Sequence, residues 1–314
     1  LPGRPSALLC LILAHSITVV QGAARDIPEP ARNSTIGYFN PEVPFIELQP
    51  WTGRRYEQLV PDTLDIAERA RLGILAITGI ADPEMDYEWY FLADFYRRPP
   101  VLLHTVDTIN CQYKVMEALP LLRLMTGSVW NLQVDQRWME VALQLIGPDG
   151  LAYWPVRGRP WGEPKAAWVE PVLGNAAQGQ FCTPSFLGRL VAAMTLYDMQ
   201  SSDPVWKQSI ERMIVRLAEL VVARGDYAWL PAAGLAPGAE GAPDTPMPTG
   251  FWASLPGWLV QGLAQYYRES GHEPALELAE KLARYMMYHG GIFSGEGAFI
   301  GFDHFHHHTA VVLG

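Results

Sequence analysis

Residues 102–128, LLHTVDTINCQYKVMEALPLLRLMTGS, contain the unit from which the fold can be predicted. A polar loop leads into a largely apolar segment with helical spacing, which ends at the tight turn Thr126-Gly127-Ser128. Similar turns, each between an apolar and an amphipathic segment, occur at Ser201-Ser202-Asp203 and Ser270-Gly271-His272. Their spacing predicts a repeated helical hairpin of about seventy residues, which is longer than the common solenoid repeats.

The two helices of each predicted hairpin differ in character. One is apolar on almost every side and belongs in the interior, whereas the other has a charged face and belongs at the surface. An inner ring of apolar helices within an outer ring of amphipathic ones is an α/α toroid, so the sequence predicts an all-α fold. Function is expected on the loops that lead into the inner helices, because a rigid scaffold holds them together. The predicted helices include residues 64–79, with a cap at Asp62 or Thr63, and residues 133–146, 185–199, 205–223, 251–267 and 274–288.

The chain divides into three predicted parts. Residues 1–24 have the pattern of a secretory signal peptide, with an apolar run behind Arg4 and small residues after the run. The run is short for a membrane span, and the alternative interpretation is a buried strand or helix. Residues 25–60 are predicted to be an extended lead-in, and residues 61–314 an incomplete toroid that forms the catalytic domain. A cleaved signal predicts a secreted or periplasmic protein without a membrane anchor.

Charge and composition narrow the classes of partner. With a net charge of -10, no basic run and no Gly-rich phosphate loop, the sequence argues against nucleic acid as a partner. Its 11 Trp and 13 Tyr residues supply rings that fill cores and also stack on sugars. No cofactor is predicted, and the oligomeric state stays open.

Once Cys10 leaves with the signal, Cys111 and Cys182 remain, and buried thiols are favoured over a disulfide between them.

The turns, the apolar helices before them and the aromatic loops resemble those of the six-hairpin glycosidase-like superfamily, whose fold is an (α/α)6 toroid. The resemblance covers residues 60–314, about eight helices, and implies a toroid that is truncated after them. It further implies an active site at the end where the inner helices begin, with a pair of carboxylates. One carboxyl assists the leaving oxygen and the other activates water or attacks directly. Since many chemistries share this fold, the resemblance is weak evidence for any one of them.

The acids beside the predicted starts of inner helices are Asp107, Asp244 and Asp303. Asp107 and Asp303 are the predicted acid/base pair, because histidines that can tune their pKa values accompany them. His104, His304 and His306 are predicted to assist. The alternative is that both aspartates only cap helices.

The histidines at the end of the chain have a spacing that can hold zinc. No Cys or acidic residue accompanies them at a diagnostic spacing, so no metal site is predicted. Sugar contact, proton transfer or a structural polar network are the interpretations left open. The residues concerned are His304, His306, His307 and His308.

Sugar binding is predicted for two aromatic segments. Residues 151–184 form a long loop that combines tryptophans with arginines, and such loops are usually functional or disordered. Residues 82–90 interleave acids with aromatics, although a solvated first turn of a helix is the alternative. Arginines that face the cleft would favour uronic acids. The predicted substrate-binding residues are Trp154, Arg157, Arg159, Trp161, Glu84 and Tyr87.

Three functions are consistent with these residues. The first is a secreted hydrolase that cleaves the glycosidic bonds of an oligo- or polysaccharide. The second is a polysaccharide lyase, in which His304 or Tyr153 is the base and Arg157 neutralises a uronate. The third is a non-catalytic sugar-binding scaffold. One face of the first repeated helix keeps the polar residues Gln112, Lys114 and Glu117, and this face can line the mouth of the toroid. The alternative is that Lys114 and Glu117 simply pair with each other.

Overall fold

A computed structural model describes residues 38–47, 65–104, 108–155, 180–201, 203–249, 251–300 and 310. Within these residues the protein is mostly helical, which confirms the predicted class in its coarse form. None of the described helices combines the length and hydropathy that a membrane crossing requires. The helices are α1 Ile66–Gly79, α2 Thr108–Thr126, α3 Leu132–Gln144, α4 Pro184–Ser201, α5 Pro204–Leu220, α6 Phe251–Ser254, α7 Gly257–Ser270 and α8 Glu273–Arg284.

Short antiparallel strand pairs connect the helices. A 3-10 turn, Pro83–Met85, lies between the first two strands, and a π-helical turn, Tyr285–His289, follows α8. The pairs are β1 Ala81–Asp82 with β2 Glu88–Trp89, β3 Leu92–Asp94 with β4 Val101–Leu103, β5 Trp154–Pro155 with β6 Gln180–Phe181, and β7 Val222–Arg224 with β8 Tyr227–Trp229.

The three turns that the sequence aligns have one hydrogen-bonding pattern. The last residue of α2, α4 and α7 carries a hydroxyl group, in Thr126, Ser201 and Ser270. Each hydroxyl donates to the carbonyl four residues earlier, over 2.8, 2.9 and 2.7 Å respectively. Each also accepts from the backbone N–H two residues later, over 3.1, 3.3 and 3.2 Å. The sequence repeat is therefore also a repeat of the structure.

The connections after α3 and α8 match each other as well. In residues 147–151 the amide of Gly147 donates to the carbonyl of Leu151 over 2.8 Å. The amide of Gly150, the fourth residue, donates to the carbonyl of Gly147 over 3.0 Å. Residues 294–298 form the same two bonds, over 2.8 and 3.0 Å. The fourth residue is Gly150 or Gly297, with φ of 94° and 82°, a backbone conformation that glycine adopts without strain. The outer helices α3 and α8 are thus both followed by the same kind of tight turn.

The inner helices α2, α4 and α7 pack side by side, with α4 in the middle. Helix α4 and helix α7 are parallel: Gly188 lies against Trp258 and Gly262, and further along, Gln265 Nε2 donates to the carbonyl of Ala192 over 3.3 Å. Helices α3, α5 and α8 pack against α2, α4 and α7 respectively, while α1 packs on α2. The described part of the chain is therefore a row of three hairpins with an inner and an outer layer.

Several predicted boundaries were wrong. Asp65 caps α1, with its side chain accepting from the Glu68 amide over 2.7 Å, so the helix begins later than predicted and Asp62 and Thr63 lie outside the described residues. Segment 251–267 is broken between α6 and α7, because Pro256 lacks an amide for a continuous helix. Residues 82–90 form a 3-10 turn and strands, not the first turn of an α-helix.

The predicted signal peptide lies outside the described residues, and Cys111 and Cys182 form no disulfide with each other.

We expect Gly188→Ala to lower the free energy of unfolding by about 3 kcal/mol, the upper end for overpacking a core. A Cβ atom at position 188 would lie 2.1 Å from the backbone oxygen of Trp258, so one helix must move away. Gly79→Ala is the matched control, because nothing lies within 4 Å of a Cβ built there. Chemical denaturation should show the control unchanged or stabilised by up to about 1 kcal/mol. Equal effects of both variants would contradict the close α4–α7 approach.

Candidate functional site

His104 follows β4 and is surrounded by groups from the first two strands. Its side chain is nearly buried, and its Nε2 lies 2.9 Å from Asp82 Oδ2. Its Nδ1 lies 3.3 Å from the carbonyl oxygen of Trp89 and 3.6 Å from Glu88 Oε1. The Tyr90 ring stacks on the imidazole with 4.3 Å between ring centroids. We call His104, Asp82, Glu88 and Tyr90 the His104 cluster.

Local structure explains how the acids meet the histidine. Asp82 and Glu88 are directly paired across β1 and β2, so both carboxylates reach the same region. The turn between them contains Asp86 and Tyr87, both with φ of 57°, which is unfavourable for residues with a side chain. Arg137 holds this turn, because its Nε and Nη2 donate to Asp86 Oδ1 over 3.1 and 2.9 Å.

The His104 cluster favours an ionised Asp82. Burial raises the pKa of this carboxyl. Hydrogen bonds from His104, Tyr90 and the Glu84 amide together lower the pKa by more than burial raises it, so the pKa lies below its ordinary value. Burial and the bond to Asp82 raise the pKa of Tyr90 to about 12. The cluster therefore holds the imidazole through both nitrogens and one face, which suits positioning rather than direct attack.

A second group of polar side chains lies on the inner helices. We call Lys114, Glu117, Arg189 and Trp258 the inner-helix cluster. Arg189 is only 4% exposed, and its guanidinium carbon lies 3.7 Å from the centroid of the Trp258 ring. Lys114, Glu117 and Trp258 are partly exposed, so solvent reaches the cluster. All four lie in the N-terminal half of α2, α4 or α7, the end at which function is expected.

The ionisation of the inner-helix cluster is shifted towards its neutral forms. Burial raises the pKa of the Glu117 carboxyl, and the charge of Arg189 offsets only part of that rise. Burial, followed by the charge of Arg189, lowers the pKa of Lys114. Burial also lowers the pKa of Arg189 to about 10, although Glu117 opposes this shift. A partly exposed carboxyl whose pKa is raised by burial is the kind of group that serves as a general acid.

The predicted site residues have different surroundings. Glu84 is exposed, and its amide donates to Asp82 Oδ1 over 3.0 Å, so it borders the His104 cluster. Tyr87 and Trp154 are 5% and 1% exposed and belong to the core, so packing is the role that their burial supports. The other predicted site residues lie outside the described residues, and their roles stay predictions: Asp107, Arg157, Arg159, Trp161, Asp303, His304 and His306.

Sequence reasoning overlooked the partners of His104 and the importance of Arg189. Asp82 and Glu88 belong to the acidic and aromatic segment that was singled out, but their pairing across two short strands has no sequence signal. Arg189 did leave a signal, because it is the one charged residue in the apolar stretch 184–197. Within the described residues, Glu117 interacts with Arg189 and forms no ion pair with Lys114.

Within the described ranges, no three His, Cys, Asp or Glu side chains are arranged to hold a metal ion. A recess of about 520 Å³ lies on the outer face of α5 and is lined by no residue of either cluster, so it is not the candidate site.

No family model and no curated protein sequence matches the chain. The candidate site therefore depends on the geometry of the two clusters alone.

Asp82 should lose its contribution to the stability of the fold when the pH is lowered far enough to protonate its carboxylate. Because the folded-state pKa is depressed, this contribution is complete above the ordinary value of 3.8 and disappears as the pH falls through the folded-state pKa. The difference in Tm between the wild type and Asp82→Asn should therefore be large at pH 6 and shrink towards pH 2. Asp244→Asn, on an exposed loop, is the control. A difference that grows on acidification would contradict the hydrogen bonds to His104 and Tyr90.

Proposed function

We propose that this protein hydrolyses glycosidic bonds in an oligo- or polysaccharide. The observation that carries the proposal is Glu117, a partly exposed carboxyl on an inner helix whose pKa is raised by burial. Glycoside hydrolysis needs one carboxyl that is protonated at working pH and one that is ionised. Its raised pKa makes Glu117 the candidate for the first requirement, and Asp107 and Asp303 are the sequence-based candidates for the second.

The arrangement of the helices supports the site's location. Three hairpins with parallel inner helices are consistent with an (α/α)6 toroid similar to the six-hairpin glycosidase-like superfamily, which we include in the proposal. In that arrangement the N-terminal ends of α2, α4 and α7 converge, so loops that enter them share one opening. Asp107 immediately precedes α2 in the sequence, as expected for a residue at this opening. Export by way of a signal peptide over residues 1–24 is also part of the proposal.

The proposed roles divide between the clusters. Glu117 gives its proton to the leaving oxygen, and Asp107 or Asp303 activates water or attacks the sugar carbon. His104, held by Asp82, acts as a positioning residue for Asp107, which follows it by three residues in the sequence. His304 and His306 stay proposed to assist the acid/base residues. Carbohydrate is therefore the partner, and no step requires a cofactor.

A lyase is the second candidate, and Arg189 is the observation that favours it. A lyase removes a proton next to a uronate carboxylate and needs a cation to neutralise that carboxylate. Tyr153 is a poor base for this reaction, because it is buried and donates its hydroxyl proton to Asp149 Oδ2 over 2.6 Å. A non-catalytic scaffold would give no reason for a carboxyl with a raised pKa among the inner helices.

Glu117→Gln should lower kcat/KM for glycan hydrolysis by about a hundredfold or more, as expected for loss of a general acid. In the wild type, activity should fall as the pH rises through the raised pKa of Glu117, and the variant should lack this limb. Glu277→Gln is the control, since Glu277 lies on the exposed side of α8 and pairs with Lys281 over 2.6 Å. Undiminished turnover by Glu117→Gln would remove it from the mechanism.

Product analysis separates the hydrolase from the lyase. Neutral and uronate-containing glycans are incubated with the full-length protein, and both reducing ends and ultraviolet absorbance are followed. New reducing ends without absorbance are expected for hydrolysis. Absorbance that rises with chain cleavage identifies an unsaturated product and would replace the hydrolase with the lyase. Binding without either signal would favour the scaffold.

A further inference from the structure

The described part of the chain contains three buried arginines, and two of them have complete sets of acceptors. Arg123 forms two hydrogen bonds with Asp135, over 3.1 and 2.5 Å, and two more with backbone carbonyls. Arg137 binds Asp86 and Glu140. This is the usual condition of a buried charge, because an uncompensated one costs several kcal/mol.

Arg189 is the exception. No described residue accepts a hydrogen bond from its Nε or Nη2, and both atoms are buried, so an acceptor that reaches them has to displace part of the atoms that cover them. Glu117 acts on it only through its charge, without an ion pair between them among the described residues. One face of the guanidinium is covered by Trp258, which holds the side chain in place. The guanidinium edge, which carries its donors, is thus fixed, and two of its nitrogens have no acceptor among the described residues.

The charge around Arg189 favours an anion. Lys114 and Arg189 contribute two cations, whereas Glu117 is the one carboxyl of the described residues that acts on Arg189, and burial raises the pKa of Glu117. Gln261 lies one turn after Trp258 on α7, and its buried Oε1 has no donor among the described residues. A ligand that fits these groups has a carboxylate for the guanidinium, which binds such planar anions through two parallel bonds, and hydroxyl groups that can donate to Gln261.

We infer that Arg189, fixed by Trp258 and flanked by Lys114, binds the carboxylate of a sugar acid, so that the substrate contains uronate units. The choice of a sugar rests on the proposed function, whereas the carboxylate site does not. The groups described provide for binding only, and no covalent step is assigned to Arg189. Because Glu117 faces the same arginine, a bound uronate would bring an adjacent glycosidic bond to the candidate acid.

The test measures binding and not turnover. Isothermal titration calorimetry of the full chain with D-glucuronate and with D-glucose compares two sugars that differ in the carboxylate. We expect glucuronate to bind the wild type at least about tenfold more tightly, since hydrogen bonds to a charged group contribute that much discrimination. Arg189→Met should weaken glucuronate binding by about 10- to 100-fold and leave glucose binding unchanged.

Arg224→Met is the matched control. Arg224 also lies over a tryptophan, 5.6 Å from the Trp229 ring, but it is exposed and donates to the carbonyls of Ala223 and Pro243. Its loss should not change glucuronate affinity. Glu117→Gln should lower kcat/KM for hydrolysis by about a hundredfold or more while retaining glucuronate binding, so failure of the proposed function and failure of this inference give different results.

Thermal denaturation provides a second readout. Replacing an unpaired buried charge with an apolar side chain is neutral or stabilising, so Arg189→Met should keep or raise Tm, whereas Arg123→Met should lower it. Arg189→Lys, which keeps the charge but loses the planar fork, should bind glucuronate more weakly than the wild type. Equal affinity of the wild type and Arg189→Met for glucuronate would overturn the inference. A large fall in Tm for Arg189→Met, without glucuronate binding by the wild type, would show that a carboxylate of the chain itself pairs with Arg189.

Discussion

The close contact between α4 and α7 is the constraint on which the rest of the structure depends. Gly188 and Gly262 face each other so closely that a Cβ atom at either position would lie 2.1 Å from a backbone oxygen of the other helix. Two parallel helices at this distance leave room for the large ring of Trp258 only at the side of the contact. The ring therefore lies beside Arg189, and the tight packing of small residues places an aromatic surface against a buried cation.

The turns could be predicted from the sequence because their determinants are local. A hydroxyl residue at the end of a helix satisfies a carbonyl behind it and an amide ahead of it, and Thr126, Ser201 and Ser270 all do so. The segment around Asp82 and Glu88 could not be predicted in the same way. Its short strands depend on Arg137, which lies 51 positions from Asp86 and leaves no periodic signal. Local patterns thus identified the hairpins, whereas distant pairing determined the surroundings of His104.

The two clusters use burial in opposite ways. In the His104 cluster, His104 and Tyr90 form hydrogen bonds with Asp82, and the carboxylate of Asp82 is stabilised in its charged form. In the inner-helix cluster, burial is only partly compensated, and the pKa values of Lys114, Glu117 and Arg189 move towards the neutral forms. The first arrangement stabilises a fixed conformation. The second disfavours the charged form of each group, and pKa shifts of this kind are frequent at binding and catalytic sites.

The side-by-side order of α2, α4 and α7 has a consequence for the way the protein opens. Each hairpin packs mainly on its neighbours, so stability is shared along a row, as in repeat proteins, and not through one central contact. Helix α4 has neighbours on both sides and is buried from Pro184 to Thr195. Local unfolding that begins at either flank of the row reaches α4 last. Among the described helices, Arg189 thus lies on the one that such unfolding reaches last, and two of its nitrogens have no acceptor within the described part of the chain.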